Sequence, residues 1–176
     1  MSGSIFQTSQ SLTLSAADAI ADASIAAVAD LATRKPMCVT VLDSAGGILV
    51  QKRMDGCPDG AYVKISYAKA RTCIHLRTSS RAFREKYTGS GEVAKFTQAA
   101  GMVSIMEGEL VPVSGGVLIR STSSADGSTT VVVGAIGVSG AAADEDEYLA
   151  WKGVRAMTSK GGLSTVPVNH CCKTLK

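Results

Sequence analysis

Thr130-Val131-Val132-Val133-Gly134-Ala135-Ile136-Gly137-Val138 holds three consecutive valines and no charged side chain. β-branched residues fit a pleated, packed surface. A strand apolar on both faces must be covered on both sides, as a central strand is. Its partners lie in two places. Met37 to Leu42 is a β-rich run, Asp43-Ser44-Ala45-Gly46-Gly47 tolerates positive φ, and Ile48 to Met54 returns, which predicts a hairpin. Closer to the central strand, Met102 to Met106, Val111 to Val113 and Val117 to Arg120 are short apolar runs separated by turn residues and are expected as strands. Ser121 to Thr129 is a polar loop containing the hairpin dipeptide Asp126-Gly127.

Around these strands the apolar period becomes helical. Ser15 with Asp18 three residues later predicts a helix start. Ile20, Ala23, Ala27, Val28 and Leu31 then follow at helical spacing, and Pro36 closes the segment. Ala61 to about Arg84 is expected as one helix, with Ile65, Ala68, Thr72 and Leu76 along one stripe. Gly89-Ser90-Gly91 interrupts it, and Glu92 to Ala100 reads as a shorter helix. Asp144 to Glu147 places four acids where they favour the positive end of a final helix, with Tyr148, Trp151 and Val154 as its buried stripe. The order helix, hairpin, helices, strands, helix predicts an α+β layered domain with a central antiparallel β-sheet flanked by α-helices. A single domain over 10–160 is expected, with tails at 1–9 and 161–176.

The composition narrows the function classes. In 176 residues, 45% are hydrophobic, 19% charged and 5% aromatic, so a core of small side chains is expected. A net charge of +3 is too weak for a nucleic-acid binder. The densest basic group, Arg71, Arg77, Arg81, Arg84 and Lys86, has no aromatic platform among it and reads as a solvated helix face. Five cysteines, with no CxxC pair, favour a reducing compartment over a disulfide or zinc framework. Cys38 and Cys73 sit in apolar patterns and are expected to be buried thiols. His170-Cys171-Cys172 falls in the expected tail. The first ten residues lack a secretory pattern, and no run approaches the ~20 apolar residues that span a bilayer. A cytoplasmic protein is expected, with no membrane partner.

Six landmarks in order resemble one family, that of GlcG, HbpS and the PduO C-terminal domain. They are Leu12 to Ala17, Val41-Leu42-Asp43, Arg53-Met54-Asp55-Gly56, Ala68-Lys69-Ala70 with Thr72, Val111-Pro112 followed by Gly115-Gly116-Val117, and Gly134 to Gly140. The resemblance implies a profilin-like fold, a ligand pocket and a homo-oligomer of four to eight subunits. It also implies a tetrapyrrole ligand, haem or a corrinoid, with haem degradation in one branch and links to glycolate metabolism in others. Two alternatives stay open: an enzyme or accessory protein acting on a small organic acid, and a structural oligomer without catalysis. The chain departs from the family in having no His in residues 1–74, Leu118 where a Pro is usual, and a longer 121–129 loop. Haem iron takes an axial His, Cys, Met or Tyr, so the first departure bears on the ligand.

Seven residues are candidates for binding that cofactor. Arg53 and Asp55, at a strand end and the loop after it, are placed to clamp a carboxylate or to cap the next helix. Lys69, flanked by alanines, is expected at a pocket mouth, as an anion contact or a plain solvated cation. Thr72 and His75 share its stripe, with His75 a ligand or a surface histidine. Gly115 and Gly116 either let a ligand approach backbone amides or permit a turn. Arg53 and the paired glycines are expected to converge on a hollow. Asp144 to Glu147 reads as a solvated helix start or a hard-cation site; no metal site and no catalytic constellation is assigned.

Overall fold

The computed structural model describes residues 9–58, 60–122, 130–158 and 162–165. Its elements run α1 (Leu14–Ala26), a 3-10 turn (Ala27–Asp30), β1 (Cys38–Asp43), β2 (Ile48–Arg53), α2 (Ala61–Leu76), α3 (Ser80–Thr88) and α4 (Val93–Ile105). Then follow β3 (Gly116–Thr122), β4 (Thr130–Ser139), α5 (Ala143–Arg155) and β5 (Leu163–Ser164). The strands form one sheet in the order β2-β1-β4-β3-β5, antiparallel throughout. The expected α+β layered arrangement is present, and β4 lies at its centre.

Both faces of β4 are covered, as its valine-rich sequence requires. On one face, Val39, Val41, Val117, Ile136 and Val138 pack with Ile20 and Ala21 of α1 and Leu149 and Ala150 of α5. On the other, Leu42, Leu118 and Ala135 meet Ala70, Cys73 and Ile74 of α2. Glycine sets how close α2 comes. A Cβ at Gly137 would stand 2.0 Å from Ser66 O, and one at Gly116 would stand 2.3 Å from Lys69 O. The backbone of α2 therefore rests directly on the sheet. A smaller cluster, Phe83, Ala99 and Leu110, joins α3 and α4 beside this layer.

The expected hairpin forms, its turn held by Asp43 Oδ1, which accepts from Ala45 N at 2.9 Å and Gly47 N at 2.8 Å. Several expectations are corrected. Helix α1 is capped by Thr13, whose hydroxyl accepts from Ala16 N, and not by Ser15. The helix expected to run to Arg84 stops at Leu76, because Arg77 takes a left-handed conformation and Ser79 caps a new helix by accepting from Ala82 N. Met102 to Met106 continues α4 as far as Ile105, its Met and Val side chains answering the small cluster at helical period. Val111 to Val113 is loop, with Val111 N donating to the Thr72 hydroxyl and not to a strand. Cys38 and Cys73 are buried thiols outside any disulfide, as expected, and Cys57 is buried as well. The Asp126-Gly127 signal and His170-Cys171-Cys172 fall outside the described residues. No helix among the described residues is long and apolar enough to cross a membrane.

Candidate functional site

The seven candidate residues fall into three separate environments. Arg53 pairs in register with Cys38, which pairs with Ser139, so the exit of β2 and the start of β3 lie at the same end of the sheet. Two strands intervene, however, which sets them roughly 14 Å apart. Arg53 is exposed and donates from Nη1 to Cys57 O at 2.8 Å, closing its own loop, and Asp55 is exposed on that loop. The expected convergence with the glycines does not occur.

Lys69, Thr72, Gly115 and Gly116 are brought together, but in a filled seam. Lys69 is 1% exposed, donating to Asp146 Oδ2 at 2.7 Å and Val138 O at 2.9 Å. A Cβ at Gly115, where φ is +125°, would lie 2.7 Å from Lys69 Nζ. The pair of glycines therefore makes room for a lysine and a helix backbone, and the pocket-mouth placement of Lys69 is corrected to an interior one. Thr72 is also interior; its hydroxyl donates to Ala68 O and accepts from Val111 N.

Three of the four acids at the head of α5 are interior, which corrects their expected solvation, while Asp144 is exposed as expected. Glu145, Asp146 and Glu147 are each no more than 3% exposed. Asp146 takes Lys69 and accepts from Ala141 N. Glu147 and Asp144 both receive Arg81 from α3, and Glu145 accepts from Thr33 and from Ala142 N. Burial pushes the Asp146 and Glu147 carboxyls up and the Lys69 ammonium down, with the opposite charges pulling each back. Among the described residues no group of three or more His, Cys, Asp or Glu is placed to hold a metal. Burial also pushes the Cys73 thiol up to about 12, leaving it inert.

His75 lies at the surface and meets Glu109, Nε2 to Oε2 at 2.8 Å. Arg71 and Tyr67, one and two turns back along α2, reach the same carboxylate. The i, i+4, i+8 spacing of Tyr67, Arg71 and His75 is legible in the sequence; the arrival of Glu109, more than thirty residues on, has no local signal.

Open space with an apolar lining lies elsewhere. The turn from α3 to α4 walls a cleft of about 240 Å³, lined by Tyr87, Thr88, Gly91, Glu92, Val93 and Phe96. Tyr87 stands edge-on to Phe83 at 5.2 Å, and Lys86 lies 5.2 Å above the Tyr87 ring. Val93 and Phe96 are 78% and 62% exposed, so two large apolar side chains face solvent side by side on α4. Helix α4 has Ala99 as its fully buried residue, and Val93, Phe96 and Ile105 are exposed among the described residues. Sequence reading passed over this cleft because Tyr87, Val93 and Phe96 fall on either side of a glycine break.

A family model described as "Haem degrading protein HbpS-like" matches residues 12–155. Three solved structures are similar. The ORFY protein of Klebsiella pneumoniae has 22% identity over 89% of this chain and 97% of its own, with a TM-score of 0.74. A double mutant of HbpS from Streptomyces reticuli has 25% identity over 89% and 94%, with a TM-score of 0.69. A complex of PduOC with haem has 20% identity over 83% and 94%, with a TM-score of 0.66. No curated protein matches the chain.

Proposed function

Because the chain belongs to the HbpS-like family, whose model matches residues 12–155, we propose that it binds haem in the cleft between α3 and α4. The observation that carries this reading is the exposed apolar wall formed by Val93 and Phe96 opposite Tyr87. A porphyrin is a flat apolar slab with acidic substituents, and each part meets a suitable group here. Phe96 and Val93 offer apolar surface to its face. Tyr87 offers a phenolic oxygen, one of the side chains that hold haem iron. Lys86, beside Tyr87, offers a cation for a propionate. The fit needs no histidine, which accords with a chain that has none in residues 1–74. His75 is turned to Glu109 and belongs to another surface.

The seven residues read from sequence do not form this site. Lys69, Thr72, Gly115 and Gly116 lie in the seam between α2 and the sheet, and Arg53 and Asp55 lie at the end of the edge strand β2 and on the loop after it. Titration of the protein with haemin tests the proposal. A shifted Soret band saturating near one haem per chain is expected, with Phe96→Ala weakening the affinity about 10-fold or more. Tyr87→Phe should change the spectrum of the bound state. An unshifted band at micromolar haemin, or identical titrations for all three proteins, would remove the proposal.

A further inference from the structure

Three donors from one face of α2 converge on one carboxylate. Tyr67 Oη donates to Glu109 Oε1 at 3.3 Å, Arg71 Nη2 donates to Oε2, and His75 Nε2 lies 2.8 Å from Oε2. The Glu109 side chain is 32% exposed, so this is a solvent-reachable meeting point and not a core ion pair. Arg71 is the fixed part of the cluster. Its Nη1 donates to Gly46 O at 3.0 Å in the β1–β2 turn, which sets the guanidinium plane. Its Nε is buried and has no hydrogen-bond partner among the described residues, so the guanidinium has donor capacity that Glu109 leaves unused.

Glu109 is the solvent-facing part, its side chain 32% exposed against 15% for Arg71. It sits in the loop between α4 and β3, directly after Glu107 and Gly108, both at positive φ. A phenol, a guanidinium and an imidazole around one carboxylate are the groups that bind a carboxylate ligand in the planar, multiply hydrogen-bonded manner favoured by Arg.

We propose that Tyr67, Arg71 and His75 form a receptor for a small carboxylate, which Glu109 fills from within and which a carboxylate ligand occupies by displacing it. The Glu109 side chain then swings out, while the α4–β3 loop keeps its backbone hydrogen bond from Glu109 N to Met106 O, the burial of Leu110 and the bond from Val111 N to the Thr72 hydroxyl. The inference goes beyond haem binding and shares no residue with the α3–α4 cleft, so either can fail alone.

Thermal unfolding in acetate and in succinate, against chloride at equal ionic strength, tests it on the wild type, Glu109→Ala and Glu109→Ala/Arg71→Ala. A tethered carboxylate competes at an effective concentration in the millimolar range, so its removal should raise the apparent affinity for acetate or succinate about 10-fold or more. Glu109→Ala is expected to melt below the wild type and to regain the difference in either acid but not in chloride. The double variant should gain nothing. The His75 ring resonances of Glu109→Ala should move on adding acetate. Equal shifts in acetate and chloride, an equal gain by the double variant, or unmoved His75 resonances would overturn the proposal. Should Glu109→Ala fail to fold, Glu109→Gln, which keeps the side-chain length, is read by the same criteria.

Discussion

Gly137 and Gly116 face each other across the β3–β4 ladder, and both let the backbone of α2 touch the sheet. At Gly137 the obstruction to a side chain is Ser66 O, a backbone atom inside a helix, which cannot turn aside. Gly137→Ala should therefore move α2 outward and cost about 3 kcal/mol or more, the upper range for overpacking. Urea unfolding measures it, and a loss under about 1 kcal/mol would mean that α2 is free to shift. At this residue scale, Gly137 stands in a strand whose apolar sequence already required cover on both faces, and the α2 backbone supplies one of them. Sequence left the role of Gly115 and Gly116 open, because a Gly-Gly pair gives no sign that Lys69 and the α2 backbone fill the space beside it. Lys69 misled for a related reason: among alanines, a lysine reads as exposed until Asp146, 77 residues on, is found beside it.

At the scale of elements, the head of α5 is held in place by charges that it brings into the interior. Replacing either member of the Lys69–Asp146 pair leaves the other buried and unpaired, at a cost of about 3–5 kcal/mol. Asp146→Asn and Lys69→Met should each approach that loss. The double variant should cost less than their sum by about 2 kcal/mol or more, a coupling that chemical denaturation resolves. Additive losses would show that the two groups do not depend on each other. The loop carrying Glu109 behaves differently. The hydrogen bond from Arg71, supplemented by His75, holds the Glu109 carboxyl below its ordinary value of 4.5. The stability it contributes is complete above that value and is lost as pH falls through the lower folded value. Glu109→Gln should thus be less stable than the wild type by about 1 kcal/mol at neutral pH, a size suited to a partly exposed pair. The gap should close below pH ~4, and a gap constant with pH would contradict this assignment. The hairpin and β4 were legible because their period and turn residues are local. The extension of α4 was not, since Met102 to Met106 is apolar enough for either state. Contact with Phe83 and Leu110 decides it.

For the whole molecule, the layered α+β order follows from the sequence of periods, and the six family landmarks fall on the elements that build the sheet and its helix layer. The landmarks track the fold and not the open cleft: those in the paired glycines and at Lys69 secure α2 against β3 and β4. That is why the sequence led to the interior seam while the exposed apolar wall stands on the α3–α4 hairpin outside it. The most direct measurement is hydrogen exchange with and without one equivalent of haemin. Slowed exchange confined to residues 80–105, with β4 and the 53–58 loop unchanged, is the predicted result. Protection centred on residues 53–58 or on the start of α1, with α3 and α4 unaffected, would contradict it.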